Sequence, residues 1–267
     1  MELIRHALEA ALEASKVIMK YYDGEVEVEL KADQSPVTIA DKEADKVIRK
    51  VLEETGLPIL SEEHPIPDHE ERLQWEQFWM VDPLDGTKEF IKKNGEFTIN
   101  IALIENNVPI GGVIAAPASD IVYFGESGYG SFKSVLSKNT QNVNDIFKEV
   151  KPLKPEDPGK DDIIRVAVSR SHLDETTVQY IDKLKQTREV ETTSAGSAIK
   201  IGLLAEGKAH IYPRFSPCME WDIAAGFGIV NQLDFQFIST ENQKKLSFNK
   251  KNLLVNGFVA LRDKSFL

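Results

Sequence analysis

The 267-residue chain has little of the residues that serve covalent catalysis, since it contains one cysteine and five histidines. The single thiol, Cys218, cannot form an internal disulfide, so nothing in the sequence indicates an oxidising compartment. A nucleophilic role for Cys218 would need a histidine partner and an electropositive site. We therefore expect Cys218 to be a small, partly buried packing residue and look for the chemistry elsewhere.

Long apolar runs and excess positive charge are also missing. No stretch approaches the ~20 continuous apolar residues of a membrane span. Glu2, Arg5 and Glu9 interrupt the apolar N-terminus, which argues against a secretory signal. The 32 basic and 43 acidic residues give a net charge of −11, which argues against a nucleic-acid polymer as partner. If the substrate were phosphorylated, an acidic binding site would repel it unless divalent cations lay between them.

The remaining composition is that of a globular protein, with 42% hydrophobic residues, ample for a buried core. Apolar residues at helical spacing predict amphipathic helices over residues 3–22 and 39–54. Short apolar runs predict strands at 58–61, 78–81, 97–104 and 108–115. We expect a turn at Asn106–Asn107 to join the last two strands.

The second half of the chain alternates strands and helices, which indicates an α/β layer. Strands are predicted at 163–168 and 209–213, and helices at 175–185, 197–205 and from Asp222 to about Leu233. Residues 137–162 are polar and contain three prolines, so they are predicted to form a linker or mobile surface segment. We expect two subdomains, residues 1–150 and 151–267.

The motif DPLDGT, residues 82–87, is the densest chemical signal. The apolar run FWMV delivers Asp82, and the proline and glycine turn the chain so that Asp82 and Asp85 can face one centre. Two carboxylates so close repel each other unless a cation bridges them. The Leu84 carbonyl could add a hard oxygen, and the Thr87 hydroxyl could contact a water molecule. An isolated Asp-Pro or Asp-Gly pair would indicate a turn alone.

Two further acidic motifs follow predicted elements. SEEH places Glu62 and Glu63 directly after the strand at 58–61, where Glu62 is a candidate metal ligand, although paired glutamates are often only solvated. We interpret His64 as peripheral, because oxygen-rich magnesium sites rarely use imidazole. EWD places Asp222 at the N-cap position of a helix, where it could cap the helix and bind a metal.

Groups suited to binding phosphate occur in three motifs of the second half. GSAIK, residues 196–200, opens a predicted helix and offers N–H groups, the Ser197 hydroxyl and the Lys200 ammonium. YPRF ends a strand with Arg214, which can bind phosphate through two N–H groups. SRSH ends with His172. Each of these motifs taken alone is more often structural or a surface feature.

Taken together, KADQSPVTIAD, SEE, DPLDGTKEF and WD before a small-residue helix resemble the lithium-sensitive, magnesium-dependent phosphatases related to inositol monophosphatase. The longer string VDPLDGTKEFIKKNGEFTINIALI, with SRSH, GSAIK, LLAEGKAHIYPRF and EWDIAAG, resembles the CysQ type of that family, the 3′(2′),5′-bisphosphate nucleotidases. The resemblance covers roughly residues 1–230.

The resemblance implies a layered α-β-α-β-α sandwich, of mixed α+β and α/β class, and two or three Mg²⁺ ions. The implied metal ligands lie mostly in the N-terminal subdomain and are Glu62, Asp82, Leu84, Asp85 and Asp222. The implied pair that orients and deprotonates water is Asp41 with Thr87. The implied substrate-binding residues are Gly86, Thr87, His172, Ser197, Lys200 and Arg214.

The substrate that the resemblance implies is 3′-phosphoadenosine 5′-phosphate, released by sulfate assimilation and hydrolysed to AMP and phosphate. It also implies a cytoplasmic protein, free or peripheral at the inner membrane, and a monomer or weak dimer. Two alternatives stay open on the sequence. One is the same chemistry on inositol monophosphate or fructose 1,6-bisphosphate, and the other is a non-catalytic, metal-dependent nucleotide sensor.

Overall fold

The computed structural model describes residues 1–24, 28–30, 36–159, 162–170 and 174–267. Within these ranges the helices are α1 Glu2–Tyr22, α2 Ile39–Leu52, α3 His69–Arg72, α4 Thr87–Ile91, α5 Val143–Ile146, α6 Glu175–Lys185, α7 Ile199–Ala205 and α8 Glu220–Val230. No helix among these residues is both long and apolar enough to cross a membrane.

The strands form two main sheets and two short ribbons. In chain order they are β1 Val28–Leu30, β2 Pro36–Thr38, β3 Ile59–Ser61, β4 Gln77–Asp85, β5 Thr98–Glu105, β6 Val108–Ala116, β7 Ile121–Glu126, β8 Gly130–Val135, β9 Lys151–Pro152, β10 Ile164–Ser169, β11 Val190–Ala195, β12 Ile211–Arg214, β13 Cys218–Met219, β14 Gln236–Ser239, β15 Leu254–Val255 and β16 Phe258–Leu261.

The first sheet has the order β3-β4-β5-β6-β7-β8-β9 and is antiparallel except for the parallel pair β3–β4. Both faces of this sheet are buried. Alternate residues of β4 point to opposite faces of the sheet. Trp79 and Val81 pack with the apolar faces of α1 and α2, whereas Phe78 and Met80 pack with α7 and α8. The sheet is therefore covered by a helical layer on each face.

The second sheet has the order β11-β10-β12-β16-β14 and mixes parallel and antiparallel pairs. Ala167 and Tyr212 face α7 and α8 in the central core, whereas Val166 and Ile211 face α6. The order of layers is therefore helix, sheet, helix, sheet, helix, which confirms the predicted fold class.

Glycines allow α8 to approach the first sheet very closely. A Cβ atom on Gly112 would lie 2.2 Å from the carbonyl oxygen of Ala225, and one on Gly228 would lie 2.4 Å from that of Gly111. Side chains cannot occupy such space without moving the backbone. The start of α8, which carries Asp222, is thereby held against the sheet that carries Asp82.

Most predicted elements are present near their predicted bounds. The turn at Asn106–Asn107 joins β5 and β6 with φ angles of 49° and 62°. The expectation of a linker at 137–162 is wrong for the residues that the structure describes there. Ile146 of α5 is fully buried, and β9 adds to the edge of the first sheet. Spaced apolar residues in this segment pack inward despite its polar composition. The division at residue 150 stays a prediction.

Candidate active site

Three acidic side chains converge where β3, β4 and α8 meet. Ligand atoms of Glu62, Asp82 and Asp222 all lie within 4.8 Å of one another. Glu62 directly follows β3, and its N–H donates to the Val81 carbonyl, which extends the pairing of β3 with β4. The parallel pair thus places Glu62 and Asp82 at the same sheet end.

The DPLD sequence forms an irregularity in the ladder between β4 and β5. Asp82 is paired with Asn100, but the next paired residue is Asp85, opposite Thr98. The bulged strand has one more residue than its partner, and the extra residue redirects the side chains that flank it. The Leu84 N–H donates to Asp82 Oδ1 at 3.1 Å, which fixes the orientation of that carboxylate.

The electrostatics of the cluster favour protonation or a bound cation. Burial raises the pKa of Asp82 well above its ordinary value, and the nearby charges of Glu62, Asp85 and Asp222 raise it further. The pKa of Asp222 is also raised, first by burial and then by Asp85. Carboxylates in this state attract a divalent ion, which removes the repulsion between them.

The sequence placed Asp222 at the N-cap of α8, and the structure corrects this position. The helix begins at Glu220 and its N-cap is Met219, so Asp222 is the third residue of the first turn. Its Oδ2 accepts a hydrogen bond of 3.1 Å from the N–H of Met219. Asp222 therefore does satisfy an N–H at the helix start, but from the third helical position.

Asp85 is held by polar side chains of β5 and is not one of the three converging residues found in the described ranges. Thr98 Oγ1 and Asn100 Nδ2 both lie 3.4 Å from Asp85 Oδ2. Asn100 Nδ2 also lies 3.4 Å from the carbonyl oxygen of Asp222. Asn100 thus links the Asp85 carboxylate to the backbone of α8.

Asp41 and Thr87, the predicted water-activating pair, are in direct contact. Thr87 Oγ1 lies 3.1 Å from Asp41 Oδ1 and 3.5 Å from the Leu84 carbonyl oxygen. Asp41 Oδ2 accepts bonds from the N–H and the hydroxyl of Thr38, at 2.8 and 2.6 Å. Burial raises the pKa of Asp41 above its ordinary value, although the Thr38 bonds oppose this rise.

Gly86 and Ser197 lie against each other beside Asp85. Ser197 Oγ is 2.9 Å from the Asp85 carbonyl oxygen and 2.8 Å from that of Glu96. A Cβ atom on Gly86, whose φ is 91°, would lie 2.1 Å from Ser197 Oγ. The Ser197 hydroxyl therefore holds the backbone of the bulge in place.

Lys200 and Arg214 bind carbonyl groups of their own segments. Lys200 is 2% exposed, and its Nζ lies 3.1 Å from the Ala195 carbonyl oxygen and 2.7 Å from that of Ser197. Burial lowers its pKa to about 8. Arg214 donates to the carbonyls of Ser216 and Pro217 at 3.2 and 3.0 Å. Direct phosphate binding by either cation stays a prediction, and His172 lies outside the described residues.

Sequence reasoning missed the polar residues that orient the carboxylates. Thr38, Thr98 and Asn100 are each at most 1% exposed, yet none of them is among the predicted site residues. The signal was present in FTINIALI, because a buried strand that carries threonine and asparagine must satisfy their polar groups. Cys218 is 5% exposed and pairs with Val255 in a short ribbon, as expected of a packing residue.

The residues present fit a hard divalent cation. The converging ligands are carboxylate oxygens, which magnesium prefers to nitrogen or sulfur. Asn100 Oδ1 is a buried acceptor with no hydrogen-bond partner among the described residues, which adds to the negative potential beside Asp85. Glu62, Asp82 and Asp222 would hold the ion. The charge of Asp85 acts on both Asp82 and Asp222. Metal binding by the Asp85 carboxylate and the Leu84 carbonyl stays a prediction.

The layered fold and this acidic centre define a class of metal-dependent phosphatases. The model of the inositol monophosphatase family matches residues 1–259, and the chain belongs to that family.

Its relatives include the 3′(2′),5′-bisphosphate nucleotidase CysQ of Salmonella typhimurium, 42% identical over 231 residues, with 85% of this chain and 86% of the relative covered. CysQ of Haemophilus influenzae is 31% identical over 267 residues, which cover 99% and 94% of the two chains. The solved structure of CysQ from Bacteroides thetaiotaomicron has a TM-score of 0.85 and 40% identity and covers 97% of both chains.

A solved IMPase from Thermotoga maritima has a TM-score of 0.76 at 20% identity, with 98% and 92% of the two chains covered. At that identity the likeness supports the fold alone. The similarity to CysQ proteins is much higher and confirms the resemblance drawn from the motifs.

Proposed function

We propose that this protein is a magnesium-dependent 3′(2′),5′-bisphosphate nucleotidase that hydrolyses 3′-phosphoadenosine 5′-phosphate to AMP and phosphate. The observation that carries the proposal is the convergence of Glu62, Asp82 and Asp222 in a chain whose relatives at 31–42% identity are named as such nucleotidases. The Asp41–Thr87 contact at the bulge adds a base where a non-catalytic sensor would not need one.

Asp41 is the group suited to accept the proton of the attacking water. Because Thr38 binds Oδ2, the other oxygen, Oδ1, is aimed at the Thr87 hydroxyl. Thr87 can accept a proton from water while it donates its own to Asp41, so the pair can both orient and deprotonate the nucleophile. Magnesium, when bound, supplies positive charge that offsets the phosphate oxygens and makes water more acidic.

No covalent phosphoenzyme is needed in this scheme. Cys218 is buried, and burial raises the pKa of its thiol to about 12, so it stays protonated at neutral pH. Water attack in line with the leaving 3′-oxygen accounts for the reaction with the groups that the structure brings together.

The substrate side of the proposal rests on the second-half motifs. The residues expected to bind the nucleotide and the phosphate that is retained are Gly86, Thr87, His172, Ser197, Lys200 and Arg214. In support, the charges of Lys200 and Arg214 act on Asp85. Two or three Mg²⁺ ions, a cytoplasmic location and a monomeric or weakly dimeric state complete the proposal.

The test is phosphate release from 3′-phosphoadenosine 5′-phosphate and from inositol 1-phosphate, each with Mg²⁺ and with EDTA. We expect rapid, EDTA-sensitive release from the nucleotide. Faster release from the inositol phosphate would retain the metal chemistry but reject the nucleotide. The absence of release from both would favour the sensor. For variants of the acidic centre, Asp182→Asn is a suitable control, because Asp182 is 60% exposed on α6.

A further inference from the structure

Glu96, in the loop between α4 and β5, contacts two segments of the second half of the chain, Arg170 and the Gly196–Ser197 turn. Its carboxylate accepts two hydrogen bonds from the Arg170 guanidinium, at 2.6 and 2.7 Å. The same carboxylate accepts the N–H of Gly196 at 2.9 Å. Its carbonyl oxygen lies 2.8 Å from Ser197 Oγ, which also contacts the Asp85 carbonyl.

Arg170 extends this arrangement to the second sheet. Its guanidinium donates to the Ser194 carbonyl at 3.1 Å, and its N–H donates to the Ala195 carbonyl at 3.3 Å. Arg170 directly follows β10, and Ala195 ends the neighbouring strand β11. The ends of these two strands are thus tied to the loop that precedes β5 of the first sheet.

The turn at Gly196–Ser197 needs such support because its backbone is unusual. Ser197 has a φ of 46°, a conformation that costs a non-glycine residue free energy. A Cβ atom on Gly196 would lie 2.7 Å from the Glu96 carbonyl oxygen, so the two backbones are in close contact. The Lys200 ammonium also holds this turn, because it donates to the carbonyls of Ala195 and Ser197.

Position and exposure together indicate what the Glu96–Arg170 pair does. An ion pair as exposed as Arg170, at 48%, contributes little to global stability. Its two parallel hydrogen bonds nevertheless fix an orientation. The turn that it fixes touches the Asp85 backbone but contributes no carboxylate to the converging cluster.

We propose that Glu96 is a positioning residue that, with Arg170, holds the Gly196–Ser197 turn against Asp85–Gly86 and thereby sets the affinity for the nucleotide rather than the chemical step. The inference rests on the proposed function, because the nucleotide is taken to bind beside this turn. Glu96 itself need not touch the substrate.

Glu96→Ala removes the bonds of the carboxylate to Arg170 and to the Gly196 N–H, whereas Arg170→Met keeps the Gly196 bond and removes the ion pair together with the bond to the Ser194 carbonyl. For Glu96→Ala we expect the KM for 3′-phosphoadenosine 5′-phosphate and the calorimetric Kd for AMP to rise in parallel, by about tenfold, the loss expected for a hydrogen bond to a charged group. Arg170→Met should give a smaller rise, and the double variant should be little worse than Glu96→Ala.

The kcat and the Mg²⁺ concentration for half-maximal activity should change by less than about twofold, because uniform binding energy enters KM alone. The matched control is Lys185→Met, since Lys185 is 53% exposed in an ion pair with Asp182 far from the centre. Thermal unfolding of each variant should show that Glu96→Ala unfolds within a few degrees of the control.

A Glu96→Ala variant with unchanged KM and unchanged AMP affinity would overturn the inference while the wild-type activity kept the proposed function intact. A fall in kcat or a raised Mg²⁺ requirement at unchanged KM would also overturn it. Wild-type protein that neither binds AMP nor releases phosphate would overturn the proposed function and, with it, the role of the pair.

Discussion

Glu220 and Asp222 lie two residues apart at the start of α8, yet their carboxylates have opposite surroundings. Glu220 is fully buried and accepts the N–H groups of Asn249 and Lys250 at 2.6 and 3.3 Å, with the Lys250 ammonium at 3.6 Å. Asp222 accepts one N–H, from Met219, and has the carboxylates of Glu62 and Asp82 beside it.

The difference separates architecture from function. Glu220 belongs to a network in which Arg72, 2% exposed, donates to Asn249 Oδ1 at 2.6 Å and to the Lys250 carbonyl at 3.1 Å. This network supplies the donors for its acidic member from within the chain. The Asp222 cluster concentrates like charges. Asp85 and Glu62 raise the pKa of Asp222, and the nearby charge of Arg214 offsets this rise only in part. Such an arrangement is expected where an external cation binds.

The largest expected effect is that of Asp82→Asn on turnover. We expect kcat to fall by at least about a thousandfold, because the substitution removes a negatively charged ligand from the proposed metal site. In EDTA the variant should be at least as stable as wild type, since it loses a carboxylate whose pKa is raised by burial. Phosphate release and thermal unfolding measure the two effects, and near-wild-type activity at saturating Mg²⁺ would refute the metal assignment.

Asp41→Asn tests the base beside the cluster. We expect kcat to fall by about a hundredfold or more, the usual contribution of a positioned general base. The Mg²⁺ requirement should stay close to wild type, because Asp41 contacts Thr38 and Thr87 rather than the three converging ligands. Steady-state kinetics over a Mg²⁺ series measures both. A shift in the Mg²⁺ requirement with unchanged kcat would instead assign Asp41 to the metal site.

Glu220→Ala tests the other side of the comparison. It leaves the buried N–H of Asn249 without its acceptor, so the free energy of unfolding should fall by roughly 2 kcal/mol. Glu220→Gln keeps an acceptor oxygen and should cost less. The kcat of both variants should stay within about tenfold of wild type, because neither removes a ligand or the base. Urea unfolding measures the stability. A loss of activity as large as that of Asp82→Asn would contradict the assignment of Glu220 to the architecture rather than to the active site.

The comparison also explains how much of the molecule could be predicted from the sequence. The helices and strands follow local periodicity, and the family motifs indicated Glu62, Asp82 and Asp222 together because they recur in a fixed order. The orientation of Asp85 could not be predicted, since it depends on the β4–β5 register that places Thr98 and Asn100 beside it.

Lys200 shows the opposite limit. A lysine one turn into a helix that follows a glycine suggested a phosphate ligand, which stays a prediction, but nothing local indicated that its Nζ would contact the carbonyls of Ala195 and Ser197. Local sequence does not reveal which side of a short helix faces the core when several layers surround it. Glu96 went unnoticed for a similar reason, because its partners lie about 75 to 100 residues away along the chain.

The smallest expected effect is on the pH dependence of the protein's stability, which Mg²⁺ should weaken. In the folded protein Asp82, Asp85 and Asp222 have pKa values above the ordinary 3.8, to about 8 for Asp222, so the folded state retains protons that the unfolded chain has released. The retained protons stabilise the folded state, and this contribution is fully present below about pH 4. It is lost as the pH rises through the pKa values of the folded state.

Thermal unfolding between pH 5 and 8.5 should therefore show metal-free protein losing stability, by an amount on the order of 1 kcal/mol or more, while protein in saturating Mg²⁺ loses less. Binding of the cation replaces the protons, so the difference between the two curves should widen with pH. Asp82→Asn should flatten the metal-free curve, whereas Asp182→Asn should not. Parallel curves with and without Mg²⁺ would mean that the clustered carboxylates do not bind the ion, and the contrast between Asp222 and Glu220 would then have no functional meaning.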